Sequence, residues 1–211
     1  MNNVFFYTKG THNSPFGATF TPQKWVEILK IAHLSVLEGH KEAKRIAKAN
    51  PSIFADGTLS STLLNKAIIV AFMEKTYGDY NWKNRLKFFR AQRMIYCLVD
   101  REFFICFKAV GKEGLIEGMN TKRFADMLMD GQISLNKTMQ AELAKLSLAK
   151  MPPLLFVGFT KAQNSIADIK FQHYYGGGLS FDFEFQPGVI LGQSKFNSKN
   201  NGEAGSDSVA V

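Results

Sequence analysis

Cysteine is nearly absent from this chain. Cys97 and Cys106 are the two in 211 residues, and they have no metal-type spacing. That excludes a disulfide-stapled scaffold and a zinc module as readings. Long apolar runs are missing as well. The longest, Ala67–Met73, falls far short of the roughly 20 residues that a membrane-spanning helix needs. Met1–Lys9 has neither a basic n-region nor a long apolar core, so no signal peptide is expected. The sequence contains no H-E-x-x-H, no G-x-S-x-G and no Cys/His cluster, the signatures of common hydrolytic sites. These absences predict a cytoplasmic protein with no membrane span, no metal and no cofactor.

Acidic residues are scarce where basic ones concentrate. The net charge is +8, with a calculated pI of about 9.4. Residues 1–100 hold 14 Lys and Arg against 7 Asp and Glu, a net +7, whereas residues 101–211 hold 12 against 11, a net +1. A localised positive surface favours a polyanionic partner. Its peak is Asn81–Arg93, NWKNRLKFFRAQR, with Lys83, Arg85, Lys87, Arg90 and Arg93, three large aromatics and no acid. Read as a helix over 82–93, it puts Lys83, Lys87 and Arg90 on one face and Trp82, Leu86 and Phe89 beside them. A second cluster, His40–Lys48, puts Lys41, Lys44, Arg45 and Lys48 on a shared helical face, diluted by Glu42.

Phe is abundant, at 19 residues, which favours a packed core over disorder. Val4–Tyr7 suits a short strand and Gly10–Phe20 a loop. Thr21-Pro22 suits a helix start, with Thr as cap. Apolar spacing carries that helix to about Ala49, with a bend possible at Gly39, and Asn50-Pro51 stops it. A second helix is predicted from Ser60 or Ser61 to Lys75, apolar on nearly every face over Leu63–Met73.

The pattern then turns to β. Met94–Val99 and Phe103–Val110 read as a hairpin around Asp100-Arg101-Glu102. Thr121–Met129 and Lys137–Ala149 are amphipathic and helical. Leu154–Thr160 is a strand, and Ile166–Tyr175 and Leu179–Phe185 flank Gly176-Gly177-Gly178. If those glycines form the loop, Phe171 faces Phe183, Ile169 faces Phe185 and Lys170 lies opposite Glu184. The expected fold is α+β: N-terminal helices, then an antiparallel sheet of about five strands from two hairpins, with a helical insertion between them. One domain is expected over 1–193, helical over about 21–93 and sheet-rich over about 94–193, with a flexible polar tail at 194–211.

Few local motifs carry chemistry. Asp168-Ile169-Lys170 matches the D-x-K element of metal-dependent nucleases, with Asp126 or Asp130 as an upstream partner, but the tripeptide is common and Lys170 has an ion-pairing role. His173–Gly178 can be read as a phosphate-holding loop or simply as a hairpin turn. Cys97 and Cys106 face each other only if the turn is Arg101-Glu102. Otherwise they are free thiols. A helix-turn-helix over Lys44–Phe72 needs a tighter turn than 50–60 supplies. The leading expectation is a nucleic-acid-binding protein (DNA or RNA) without catalysis, using the 82–93 helix and the 41–48 face. The alternatives are an interaction module for an acidic protein and, behind it, a nuclease around Asp168 and Lys170.

Overall fold

The computed structural model of the protein describes residues 4–10, 12–51, 61–91, 94–111, 115–116, 122–132, 137–148, 150–161, 165–186 and 189. Arg93 and the tail expected at 194–211 lie outside these residues. The short strand expected at Val4–Tyr7 is β1, Phe5–Lys9, and because it belongs to the sheet the helices-first order does not hold. A short helix α1, Pro15–Thr19, follows within the expected loop, and its Ser14 cap accepts from Gly17 N at 2.9 Å. A 3-10 turn at Pro22–Trp25 leads into α2, Val26–Ala49. Thr21 makes no side-chain capping bond there. Then come α3, Ser61–Tyr77, and the single turn α4, Tyr80–Lys83.

The remaining strands are β2 (Leu86–Ala91), β3 (Met94–Val99), β4 (Phe103–Ala109), β5 (Leu154–Lys161), β6 (Ile166–Tyr175) and β7 (Gly178–Phe185). The helices α5 (Lys122–Asp130) and α6 (Lys137–Ala144) lie between β4 and β5 in the chain. Among the described residues the strands form one seven-stranded sheet, in the order β1-β7-β6-β5-β4-β3-β2. β2, at one edge, stands where a helix is expected, and β1, the short strand expected at Val4–Tyr7, forms the other edge, so the sheet has seven strands and not about five. The sheet is mixed, because β4 and β5 run parallel. The α5–α6 insertion carries the chain back, as a parallel connection requires.

Alternation along the central strands builds two cores. Cys97, Val99, Phe103, Ile105, Phe107, Leu155 and Val157 pack with α2 and α3. Their neighbours Tyr96, Leu98, Phe104, Cys106, Leu154 and Phe156 pack with α5 and α6. A strand buried on both faces needs a nearly continuous apolar run, which FFICF and LLFVGF supply. Each fully buried Phe or Leu contributes about 1.5–3 kcal/mol. Cys97 pairs with Ile105, not Cys106, so the thiols lie on opposite faces, buried and free.

The second hairpin folds close to expectation. Phe171 pairs with Phe183, their rings stacked at 4.9 Å. Gly176 and Gly177 form the turn with φ +64° and +82°, which glycine adopts without steric cost, while Gly178 belongs to β7. Lys170 does not pair with Glu184 as expected. Its ammonium lies 3.8 Å from Asp182 and 3.9 Å from Asp168.

The helices α2 and α3 meet at Gly39, in an uninterrupted α2. A Cβ at Gly39 would sit 2.5 Å from the Ile68 backbone nitrogen. The outer side of α3 is not buried as expected, since Val70 is about half exposed. No helix among the described residues is long and apolar enough to cross a membrane.

Helix propensity alone says Gly39→Ala should stabilise by about 1 kcal/mol. The close approach to Ile68 reverses the sign. A net loss of about 1–3 kcal/mol is expected in urea denaturation. A variant as stable as the wild type would mean that the helices do not cross at this glycine.

Candidate functional site

The two basic clusters meet different fates. Lys41, Lys44, Arg45 and Lys48 stay exposed on α2, while Val36, Gly39 and Ala43 occupy its buried side. A 3.6-residue repeat separates these sets by about half a turn. Arg45 donates twice to Glu42, both at 2.7 Å. Lys41, Lys44 and Lys48 complete the row.

The expected helix over 82–93 is not formed. Residues 86–91 are an edge strand, paired with β3 from Leu86–Val99 to Ala91–Met94. Leu86 and Phe88 join the core under α2 and α3, while Phe89 joins the core under α5 and α6. Period-two alternation therefore turns Lys87 and Arg90 to opposite faces, and the expected Lys83–Lys87–Arg90 ridge does not exist. The reason is tertiary. β3 presents an open hydrogen-bonding edge, and only a strand can send Phe88 and Phe89 into separate cores. Charges on such an edge also discourage pairing with other chains.

Arg85 is committed to the fold. Its guanidinium donates to Asp100 at 2.6 Å and lies 4.4 Å from the centre of the Trp82 ring. Its backbone oxygen accepts from Asp100 N at 2.7 Å. Arg85 thereby ties the β3–β4 turn to the start of β2.

Two other candidate sites lack supporting geometry among the described residues. The amides of the glycine turn are spent on the end of α5: Gly176 N donates to Met129 O at 2.8 Å and Gly177 N to Leu128 O at 3.3 Å. They are not a phosphate cradle. Around Asp168 and Lys170, no group of three or more His, Cys, Asp or Glu suited to a metal occurs among the described residues. Neither Asp126 nor Asp130 joins Asp168 in a ligand set. Burial raises the Asp182 and Glu184 carboxyls above their ordinary range, and the Asp168 charge adds to this at Glu184. Burial also pushes the Cys106 thiol up to about 12, which leaves it inert as a nucleophile.

A cleft of about 860 Å³ opens where α1, the 3-10 turn, the β3–β4 turn, Leu148 and Lys150–Pro153 converge. Phe16, Phe20, Trp25 and Phe103 line it, along with His173. Lys24, Arg101 and Lys150 bring positive charge, and Glu102 and Asp130 negative. Lys24 lies 4.7 Å from the Trp25 ring centre and 3.8 Å from Glu102. His173 Nδ1 is 2.8 Å from Leu154 O. We assign Nδ1 as the donor, which leaves Nε2 an acceptor. Burial pushes this imidazole down to about 4, opposed by the bond to Leu154. Phe16 meets its ring edge-on at 5.0 Å.

No protein-family model, curated protein or solved structure matches the chain.

Arg101 stands out in the cleft. Asp100 and Arg101 have φ +48° and +62°, a conformation that costs an L-residue roughly 1–2 kcal/mol. Asp tolerates it, but glycine is the usual occupant of the second position. Sequence reasoning missed the cleft because its walls come from five separate segments, with no local motif. One signal was present: a bulky Arg where a tight hairpin turn favours glycine.

His33, like His173, is held down to about 4 by burial, here opposed by the Asp168 charge. A depressed imidazole gives stability that is full above its ordinary pKa near 6.5 and is lost as pH falls towards 4. For His173 the full effect is about 3 kcal/mol. His173→Gln should therefore show a shallower loss of urea resistance between pH 6.5 and 4 than the wild type. Parallel curves would remove His173 from the acid response.

Proposed function

We propose that the protein binds nucleic acid, DNA or RNA, without catalysis, through the outward row of cations on α2. The observation that carries the reading is the division of that helix. Its buried side packs on the sheet and α3, while Lys41, Lys44 and Lys48 project the other way with Glu42 as the one acid among them, itself bonded to Arg45. Cations placed this way add nothing to the core. They can neutralise successive phosphates, because i, i+3 and i+7 positions spread them over about 10 Å of helix. The net +7 of residues 1–100 extends the same attraction over a wider surface. Lys83, Lys87 and Arg90 add to that field without forming one ridge. A cytoplasmic setting belongs to this reading, and the two unpaired buried thiols suit it.

The test is the Lys41→Glu, Lys44→Glu, Lys48→Glu triple variant, titrated by anisotropy with a labelled mixed-sequence oligonucleotide. Affinity should drop by about a hundredfold or more at low salt, and the log–log salt slope should flatten by about 3. Circular dichroism should be unchanged, since all three side chains are exposed. Undiminished binding would end the proposal. Recovery of a stoichiometric acidic protein that survives nuclease treatment would move the same surface to a protein partner.

A further inference from the structure

From the cleft beside the β3–β4 turn we infer a binding site for a small planar ring that carries a phosphate, the chemistry of a mononucleotide. The site lies apart from the α2 row and does not depend on it. Its volume of about 860 Å³ lies within the range of small-molecule sites. Aromatic side chains form much of its wall. Phe16 is only partly buried, and its ring is fixed by Phe20 at 4.7 Å and His173 at 5.0 Å. An immobilised ring beside an open cleft offers a stacking surface for a base.

The charges point to the anionic end. Lys24 pairs with Glu102 at 3.8 Å, which leaves Arg101 and Lys150 against Asp130 in the lining. Arg101 makes no ion pair or hydrogen bond among the described residues, in contrast to Arg85. The turn imposes a positive φ that an L-residue disfavours, yet Arg101 holds that position and lines the cleft. A residue that strains its turn and makes no bond among the described residues has a role left over for a ligand. A guanidinium can hold a phosphate with two parallel hydrogen bonds, with Lys150 adding charge. The neutral, buried His173 forms part of the wall behind Phe16.

The shared chemistry fits a free nucleotide or the phosphorylated end of a strand. The experiment titrates the full chain with each ribonucleoside 5′-monophosphate, read by calorimetry and by the emission of Trp25 in the cleft. Saturable binding is expected with at least one base, tighter than inorganic phosphate by tenfold or more. Arg101→Gly should lower that affinity at least tenfold while its urea midpoint stays equal to or above the wild type, because glycine relieves the turn. Phe16→Ala should lower it as well. Displacement of the bound monophosphate by a 5′-phosphorylated oligonucleotide, and not by its 5′-hydroxyl form, assigns the strand end. No displacement by either assigns the free nucleotide. The triple Glu variant of α2 should keep its mononucleotide affinity, which separates failure of this site from failure of the α2 surface. No saturable binding up to about 5 mM, or equal affinity in Arg101→Gly, would overturn the inference.

Discussion

Burial of the central strands on both faces is the constraint on which the rest of the molecule depends. β3, β4 and β5 send alternate side chains into two separate cores. Neither face of that region is open to water, so each must be roofed. The α2–α3 pair covers one side and α5–α6 the other. The roof on the second side also explains the mixed sheet. β5 can lie parallel beside β4 only through a long crossover, and α5–α6 supply it over that face.

Polar chemistry is then pushed to the margins. Cations appear on the outer side of α2, on the edge strand β2 and in the turns at strand ends. The Arg85–Asp100 bond and the stacking of Arg85 on Trp82 fasten the β3–β4 turn to the start of β2. That fixed turn presents Arg101 to the cleft. The cleft exists because three connections of different origin end near the same strand termini, a common place for binding sites in layered folds. Its aromatic wall is an outlying part of the core under α2, where Phe20, Trp25 and Phe103 pack together.

The parts of the fold that could be read from the sequence have short-range causes. Ile166–Tyr175 and the alternation of Phe181, Phe183 and Phe185 announced β6 and β7, and the glycines announced their turn. Met94–Val99 and Leu154–Thr160 were equally plain. Asn81–Arg93 misled because its cations also fit a helical repeat, and its strand alternation puts Phe88 and Phe89 on faces that exist only once both cores do. Of the candidate site residues, the α2 row was legible, since helical periodicity fixes which side faces out. The cleft was not, because Ser14–Trp25, Arg101, Lys150 and His173 have no common local pattern.

The sequence by itself determined an α+β chain with a Phe-rich core, its well-formed central strands, the glycine hairpin and a net positive charge concentrated in residues 1–100. Alternation, turn chemistry and composition act within a few residues, so they can be read in one dimension. Only the tertiary structure decided that β2 is a strand, that β4 and β5 are parallel, that Cys97 and Cys106 face apart, and that Arg101 and His173 share a cleft. Each of these depends on which segment finds an open sheet edge or an unroofed face. That competition is settled by pairing and burial across long stretches of chain.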